Sequence, residues 1–301
     1  MTAHFKVSAG RTAIYPVTRE QVEDRLGRRA PWFRPGPLRG DDKHFAVCPY
    51  CDNAIQLKGV YHRHERSPRA YGSHVGTPVE GFAYDLTDLE HCPFRLSRKS
   101  HGKSDRRAMG PVARQLIDLA VSEFDRIVLI LRDDFGFRFS DAFAERMLDQ
   151  WFDSRGFCYT GAHLRNLPWM IAYFGPTQKL FGQPIGQNDE LANHIRECVP
   201  RAKILETGRL DKGVWIELYV QCLHHRMEVK IDTGELRESM KLRVQDLTSS
   251  NDATVAPTIY QNEIIFDAER FERLIHTPKE RARRDEGLLE RAQKIGAKWL
   301  L

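Results

Sequence analysis

The residues best equipped for chemistry lie near position 50. In CPYCDNAIQL, Cys48 and Cys51 stand three positions apart, with Pro49 between them. This is the spacing of a knuckle that turns two thiolates toward one ion. A structural zinc takes four protein ligands, so two more are needed. Cys92, in EHCPF, is the remaining cysteine of the same histidine-rich stretch and is the expected third. The fourth must be a histidine, and His62, His64, His74 and His91 are the candidates. His62 and His64 fall on an expected strand, while His91 adjoins Cys92 and would require a sharp bend to share the ion. His74 is favoured, because Gly72 and Gly76 free the backbone on either side of it. A redox pair would want a strand-to-helix turn in a βαβ setting, which this stretch does not show. A catalytic zinc would leave one position to water with a glutamate in attendance. Glu65 and Glu90 are close in sequence, but no protease or deaminase spacing accompanies them. The expectation is a structural zinc on Cys48, Cys51, His74 and Cys92.

A second constellation lies near residue 228. Restriction-type nucleases hold Mg²⁺ with an acid on one strand and the glutamate of a Glu-x-Lys on the next, where the lysine helps position the attacking water. Glu228 and Lys230 in HRMEVKIDT have that form, with Asp211 as the upstream acid and Glu217 as its competitor. Alternating Glu and Lys also arises whenever a strand solvates one face, and that is the simpler reading. There is no GxxxxGK or GxGxxG phosphate loop. His224 and His225 fall at an expected turn and read as surface residues, and Asp133 and Asp134 read as a solvated helix end. Cys158, Cys198 and Cys222 stand alone in apolar or helical stretches, where a lone cysteine is expected to be a small buried hydrophobe.

The net charge of +5 is modest, but its distribution is uneven. Basic residues crowd positions 25–39, 95–107 and 279–284. Such clusters can track a phosphate backbone. Arg98, Lys99, Lys103, Arg106 and Arg107 are the expected contacts, with Trp32, Phe33, Tyr61 and Tyr71 available to stack on bases. The expected partner is DNA or RNA, with a protein partner in a larger assembly as the alternative. The apolar fraction of 41% and charged fraction of 29% are those of a globular chain rather than a disordered one. The apolar run around residues 127–131 is too short to span a bilayer. MTAHFKVSAGRTAIYP lacks a basic segment followed by an apolar block, so a cytoplasmic location is expected.

Several elements must position these groups. TREQVEDRLGRR reads as a helix capped by Thr18, with Gln21 at the capping-box position. PWFRPGPLRG reads as a loop leading into the metal module, IQLKGVYHRH as a hairpin strand, ERSPRAYGSHVG as a loop, and the segment around Cys92 as a second turn. Residues 112–135 carry a helical stripe of Ala113, Leu116, Ile117, Ala120 and Phe124. A helix capped by Ser140 follows, stopped at Gly156, then a segment interrupted by Pro168, then a short helix from Asn188. VWIELYVQCL, RMEVKIDT and MKLRVQDL alternate as three strands, the first two joined at His224 and His225 and the last two turning at Thr233, Gly234 and Glu235. The chain is expected to finish as helix, broken near Pro278. The class is therefore α+β: a zinc-ribbon-like module within residues 1–95, a basic linker over 96–110, and a mostly helical domain over 111–301 with a small antiparallel sheet and a C-terminal helix.

The CxxC knuckle, the mid-module histidine in the aromatic and glycine-containing AYGSHVG, and the distal Cys-Pro together resemble the N-terminal zinc module of competence-protein CoiA-like sequences. The resemblance covers about fifty residues. It implies the ligand set Cys48, Cys51, His74 and Cys92, with Tyr71 standing where that family usually has the first histidine of an HFxH motif. In the family a restriction-like nuclease domain follows the module, so the resemblance implies a nucleic-acid-processing context.

Overall fold

The computed structural model describes residues 1–38, 40–62, 69–211, 215–230, 232–249, 252, 254–278 and 280–299. The chain forms two compact units. One comprises Met1–Gln115, Cys158–Leu164 and Met227–Arg237, and the other Leu116–Phe157, Arg165–Arg226 and Glu238–Leu301. Among the described residues no helix is long and apolar enough to cross a membrane.

The first unit opens with a short antiparallel pair, β1 (His4–Phe5) and β2 (Tyr15–Pro16), followed by α1 (Arg19–Arg25). The Thr18 hydroxyl accepts from the Gln21 amide and starts that helix, and Gly27, at φ +61°, ends it in a conformation that suits glycine. Four strands then build an antiparallel sheet in chain order: β3 (Phe33–Arg34), β4 (Lys43–Val47), β5 (Ala54–Lys58) and β6 (Tyr71–His74). β3 lies in the stretch expected as a loop, and β6 in the other. Gly72 explains the second difference. A Cβ there would lie 2.6 Å from Ile55 Cδ1 and 2.9 Å from Thr2 Cγ2, so the strand needs glycine where its neighbours close in. The segment around Cys92 is a helix, α2 (Leu86–His91), rather than a turn. Phe5, Val22, Leu26, Ala46, Ile55 and Leu57 form one buried cluster with Cys48, Cys51 and Cys92.

The stretch 96–110, read above as a linker, belongs to this first unit. The Arg107 amide donates to Cys158 O at 2.7 Å, and Arg106 bridges to Tyr159. Here too lies the turn at Thr233, Gly234 and Glu235, with Gly234 at φ +64° and the Gly234 amide bonded to Lys230 O at 2.7 Å.

The second unit takes the residues of α3 (Pro111–Ser122) from Leu116 on, then α4 (Phe124–Phe135) and α5 (Asp141–Asp153). The single apolar stripe expected over residues 112–135 is thus two helices, parted at Glu123, whose ψ of 21° is not helical. Ser140 caps α5 through the Phe143 amide as expected. Pro168 does not interrupt α6 (Leu167–Phe174). It sits in the first turn, where its missing N–H costs nothing. β7 (Gln178–Lys179), α7 (Asp189–Cys198), β8 (Leu218–Val229), β9 (Leu236–Asp246), β10 (Thr258–Ile265), α8 (Ala268–Ile275) and α9 (Glu286–Gly296) complete the chain. The strands run in the order β10-β9-β8-β7, antiparallel where β7 meets β8 and β9 meets β10. The architecture is mixed α and β with antiparallel sheets and a C-terminal helix.

Two expectations fail in this sheet. β8 is one continuous strand through His224 and His225, so these residues make no turn. His224 sits at φ +56°, a left-handed kink that breaks the alternation. The His225 side chain is fully buried in consequence, 3.1 Å from Glu238 and stacked on Phe266. It is not a surface residue. The closing helical segment was expected to begin at Glu263, but Glu263–Ile265 end β10, which pairs with β9.

Candidate metal centre

Four ligand atoms, from Cys48, Cys51, His74 and Cys92, all lie within 4.8 Å of one another. The chain brings each of them there by a local device. β4 ends at Val47, and the knuckle turns with the Cys48 amide on Asn53 O at 2.9 Å and the Asp52 amide on Cys48 O at 3.3 Å. Asp52 has φ 56° at this turn, a conformation that aspartate tolerates better than most residues. Its carboxylate is fixed by the buried Lys6 Nζ at 2.7 Å and the Gly10 amide at 2.9 Å. His74 closes β6 opposite Ile55 in the sheet register, one residue from the start of β5. It therefore reaches the three cysteines from a strand rather than from the expected loop. Cys92 is the C-cap of α2. Pro93 follows and forces the preceding residue out of helical geometry, here to φ −63° and ψ 125°.

Asn53 joins the two ligand-bearing segments. Its side-chain amide donates to Cys51 O and to Asp85 O, both at 3.0 Å, and its carbonyl accepts from the Asp85 amide at 2.8 Å. Asp85 in turn caps α2 through the Asp88 amide. Lys6, Asp52 and Asn53 were not singled out in the sequence. The signal that could have found them is a polar Asp-Asn pair lodged between a knuckle and an apolar strand.

The distances fit a tetrahedral ion. Zinc–sulfur bonds of about 2.3 Å and a zinc–nitrogen bond of about 2.0 Å at tetrahedral angles place sulfurs about 3.8 Å apart and sulfur and nitrogen about 3.5 Å apart. Cys48 Sγ and Cys92 Sγ are separated by 3.7 Å, and Cys51 Sγ and His74 Nε2 by 3.3 Å. All three cysteines are buried, and His74 is half-buried. Burial pushes the Cys51 and Cys92 thiols well above their ordinary range, reinforced by the Cys48 sulfur beside them. Burial acts against a thiolate at Cys48 too, but hydrogen bonds from Cys51 and Cys92 and the His74 ring outweigh it and pull Cys48 well below. Without a cation the cluster favours one thiolate, and a divalent ion is what lets several coexist. The group could hold a metal such as zinc.

The competing histidines stand elsewhere. His91 Nδ1 faces Thr87 O at 2.9 Å inside its own helix, and His62 is exposed. His64 and Glu65 lie outside the described residues. Among the described residues no other group of three or more His, Cys, Asp or Glu side chains has the geometry to hold an ion. Glu228 and Lys230 are exposed, alternating with Met227 and Val229, which pack on the core of the first unit. Lys230 faces Glu235 at 3.9 Å. Asp211 belongs to the second unit, as does Glu217, which is paired with Lys179 at 2.8 Å. The three residues of the expected nuclease site are not gathered into a metal-binding group.

Of the expected phosphate contacts, Arg98, Lys99, Lys103 and Arg106 are exposed. Arg98 donates to Pro93 O at 3.2 Å, Lys99 pairs with Glu90, and Arg106 donates to Lys103 O at 2.6 Å. Arg107 is different. It is buried, its guanidinium lies 2.7 Å from Asp88, and it donates to the carbonyls of Tyr159 and Ala162. It ties the unit together and is out of reach of a phosphate backbone. Among the lone cysteines Cys158 and Cys222 are buried, but Cys198, in the last turn of α7, is exposed. Asp134 is not a solvated helix end either, since it accepts from Trp169 Nε1 at 2.7 Å.

No family model matches this chain, and no curated protein or solved structure matches it.

Proposed function

We propose that this chain is a cytoplasmic nucleic-acid-binding protein whose zinc-ribbon-like module is held by a structural zinc, in keeping with its resemblance to the CoiA-like module. The observation that carries the reading is the complete set of four protein donors at tetrahedral spacing. Four such donors leave no coordination position for an activated water or a substrate, so the ion closes the fold rather than doing chemistry. A reducing compartment keeps the thiols available as ligands. The exposed Arg98, Lys99, Lys103 and Arg106 follow Cys92 closely in the chain and supply positive charge beside the metal-bearing helix. A Mg²⁺-dependent nuclease gains no support from Glu228 and Lys230 on a solvated strand face.

Retention of the full chain on immobilised DNA and RNA, measured against salt, tests the proposal. Binding through phosphates falls steeply between about 50 and 200 mM salt. The variant Arg98→Glu/Lys99→Glu/Arg106→Glu is expected to elute earlier, with a shallower salt dependence. Retention of the wild type that ignores salt, or a variant that elutes with the wild type, would sink the reading.

A further inference from the structure

A second basic region of the first unit is built in an unusual way. Arg25 lies 4.7 Å over the Tyr15 ring, Arg29 lies 5.2 Å over Trp32, Arg28 lies 5.6 Å over Phe33, and Arg19 lies 5.5 Å over Tyr61. Guanidinium–ring contacts of real strength occur about once in 70–80 residues. Here they crowd into residues 15–61.

The rings are also joined to one another. Phe33 and His44 are partners in the β3–β4 register and so share a sheet face, with centroids 5.0 Å apart. His44 and Tyr61 follow at 5.2 Å. The result is a row, Phe33, His44, Tyr61, with Arg28 at one end and Arg19 at the other. His44 is buried with its Nε2 lacking a hydrogen-bond partner. Burial and then the charge of Arg28 lower its tendency to protonate, so the row stays neutral between two cations.

All four arginines are exposed. Arg19 shares its charge with Glu23 at 2.9 Å and Arg25 with Asp24 at 3.2 Å. Residues 25–38 contain no acidic side chain, and Arg28 and Arg29 stand within that stretch. A guanidinium held near a ring keeps N–H edges free to grip phosphate oxygens two at a time. Aromatic faces between such cations stack on any unpaired base. A duplex, with its bases already stacked inside, could use only the charges.

We propose that the face made by α1, the turn after it, β3 and Tyr61 binds single-stranded nucleic acid, with Arg19, Arg25, Arg28 and Arg29 on phosphates and Phe33 and Tyr61 under bases. This rests on the nucleic-acid-binding reading and adds to it a second contact surface and a strand preference.

The test is fluorescence anisotropy of the zinc-loaded full chain with a labelled oligothymidylate of about 16 nucleotides, near the upper site size of one single-strand-binding fold, and with a duplex of equal length. The wild type is expected to prefer the single strand. Arg25→Glu/Arg28→Glu/Arg29→Glu is expected to weaken single-strand binding by at least about tenfold and to flatten the salt slope by about 2, at about 0.7 per lost phosphate contact. Tyr61→Leu is expected to weaken it by about tenfold, the cost of one lost base stack, with the slope and the duplex affinity unchanged. Arg28→Gln/Arg29→Gln, at exposed positions that fold tolerates, repeats the charge test if the triple variant loses its zinc. If salt-dependent binding survives all three variants, the surface assignment is overturned while the broader reading stands. Equal affinity for the duplex removes the strand preference. If the wild type binds neither probe, both readings fall, and an acidic protein becomes the partner for these arginines.

Discussion

In the second unit the centre is filled by Phe139, Phe143, Trp151, Phe152 and Phe157, each at most 1% exposed. In the first unit the buried cluster around Phe5, Val22, Leu26 and Ile55 also takes in Cys48, Cys51 and Cys92, and the same unit buries the pairs Lys6–Asp52 and Arg107–Asp88. Large aromatic rings stabilise a core simply by leaving water, and stacked pairs such as Phe139–Phe143, 4.9 Å apart, add to that. Thiolates and other charges do the opposite unless something neutralises them. If the zinc proposed above is bound, folding and ion binding are one equilibrium in the first unit, whereas the second is centred on aromatic rings.

The sharpest way to break this comparison is to remove the ion. Cys92→Ser, or a strong chelator, is expected to release one equivalent of zinc. Apparent binding energies for structural zinc reach about 10–16 kcal/mol, as large as an ordinary domain's whole stability. Hydrogen exchange should show amides of residues 43–58 and 71–74 losing protection while those of α4 and α5 keep theirs. Phe143→Ala is the mirror experiment. It should cost about 3–5 kcal/mol by emptying an aromatic site, yet leave zinc stoichiometry at one. Loss of zinc in Phe143→Ala, or full protection of the first unit in Cys92→Ser, would erase the distinction.

A smaller effect is expected from Lys6→Met. The lysine is 1% exposed and lies 2.7 Å from Asp52, the residue that holds the knuckle in its left-handed turn. Removing one partner strands the other charge in the interior, at a cost of about 3–5 kcal/mol. Asp52→Asn in the same chain should recover part of it, since asparagine also accepts that backbone conformation. Denaturant unfolding checks both, alongside competition with a chromogenic zinc chelator. Unchanged zinc affinity in Lys6→Met would mean that the ion pair stabilises the fold without shaping the site.

Much of this centre was legible in the chain. The CxxC spacing, the lone neighbouring Cys92 before a proline, and the glycines around His74 led to the four residues that meet. The helical caps at Thr18 and Ser140 and the helix start at Asn188 were equally plain, because a helix start is set by residues within one turn. What escaped depends on contacts distant in sequence. β6 was hidden because Gly72 reads as a loop residue until Ile55 and Thr2 are seen to crowd it. β8 was cut in two because a left-handed His224 within a strand has no local signature, and its consequence, His225 against Glu238, spans 13 positions. Arg107 resembled its basic neighbours until Asp88, 19 residues upstream, proved to be its partner.

That pair gives the gentlest probe of the first unit's polar interior. Burial raises the Asp88 carboxyl above its ordinary value, and the adjacent Arg107 lowers it by less. The folded state therefore holds this proton at a pH where the unfolded chain has already released it. The carboxyl's favourable contribution is complete below the unfolded value and is lost as pH rises through the folded one. Asp88→Asn carries no such proton. The difference in stability, wild type minus variant, should be greatest at the acid end, fall as the carboxyl ionises, and then stay level toward neutrality. Acid loss of zinc affects both proteins and largely cancels in that difference. Unfolding midpoints taken across the acid range will give its slope. A flat difference would mean that Arg107 offsets the burial of Asp88 in full, and a rising one that the ion pair outweighs it. In either case the buried pair would cost the first unit nothing, and the contrast with the aromatic unit would rest on the thiols.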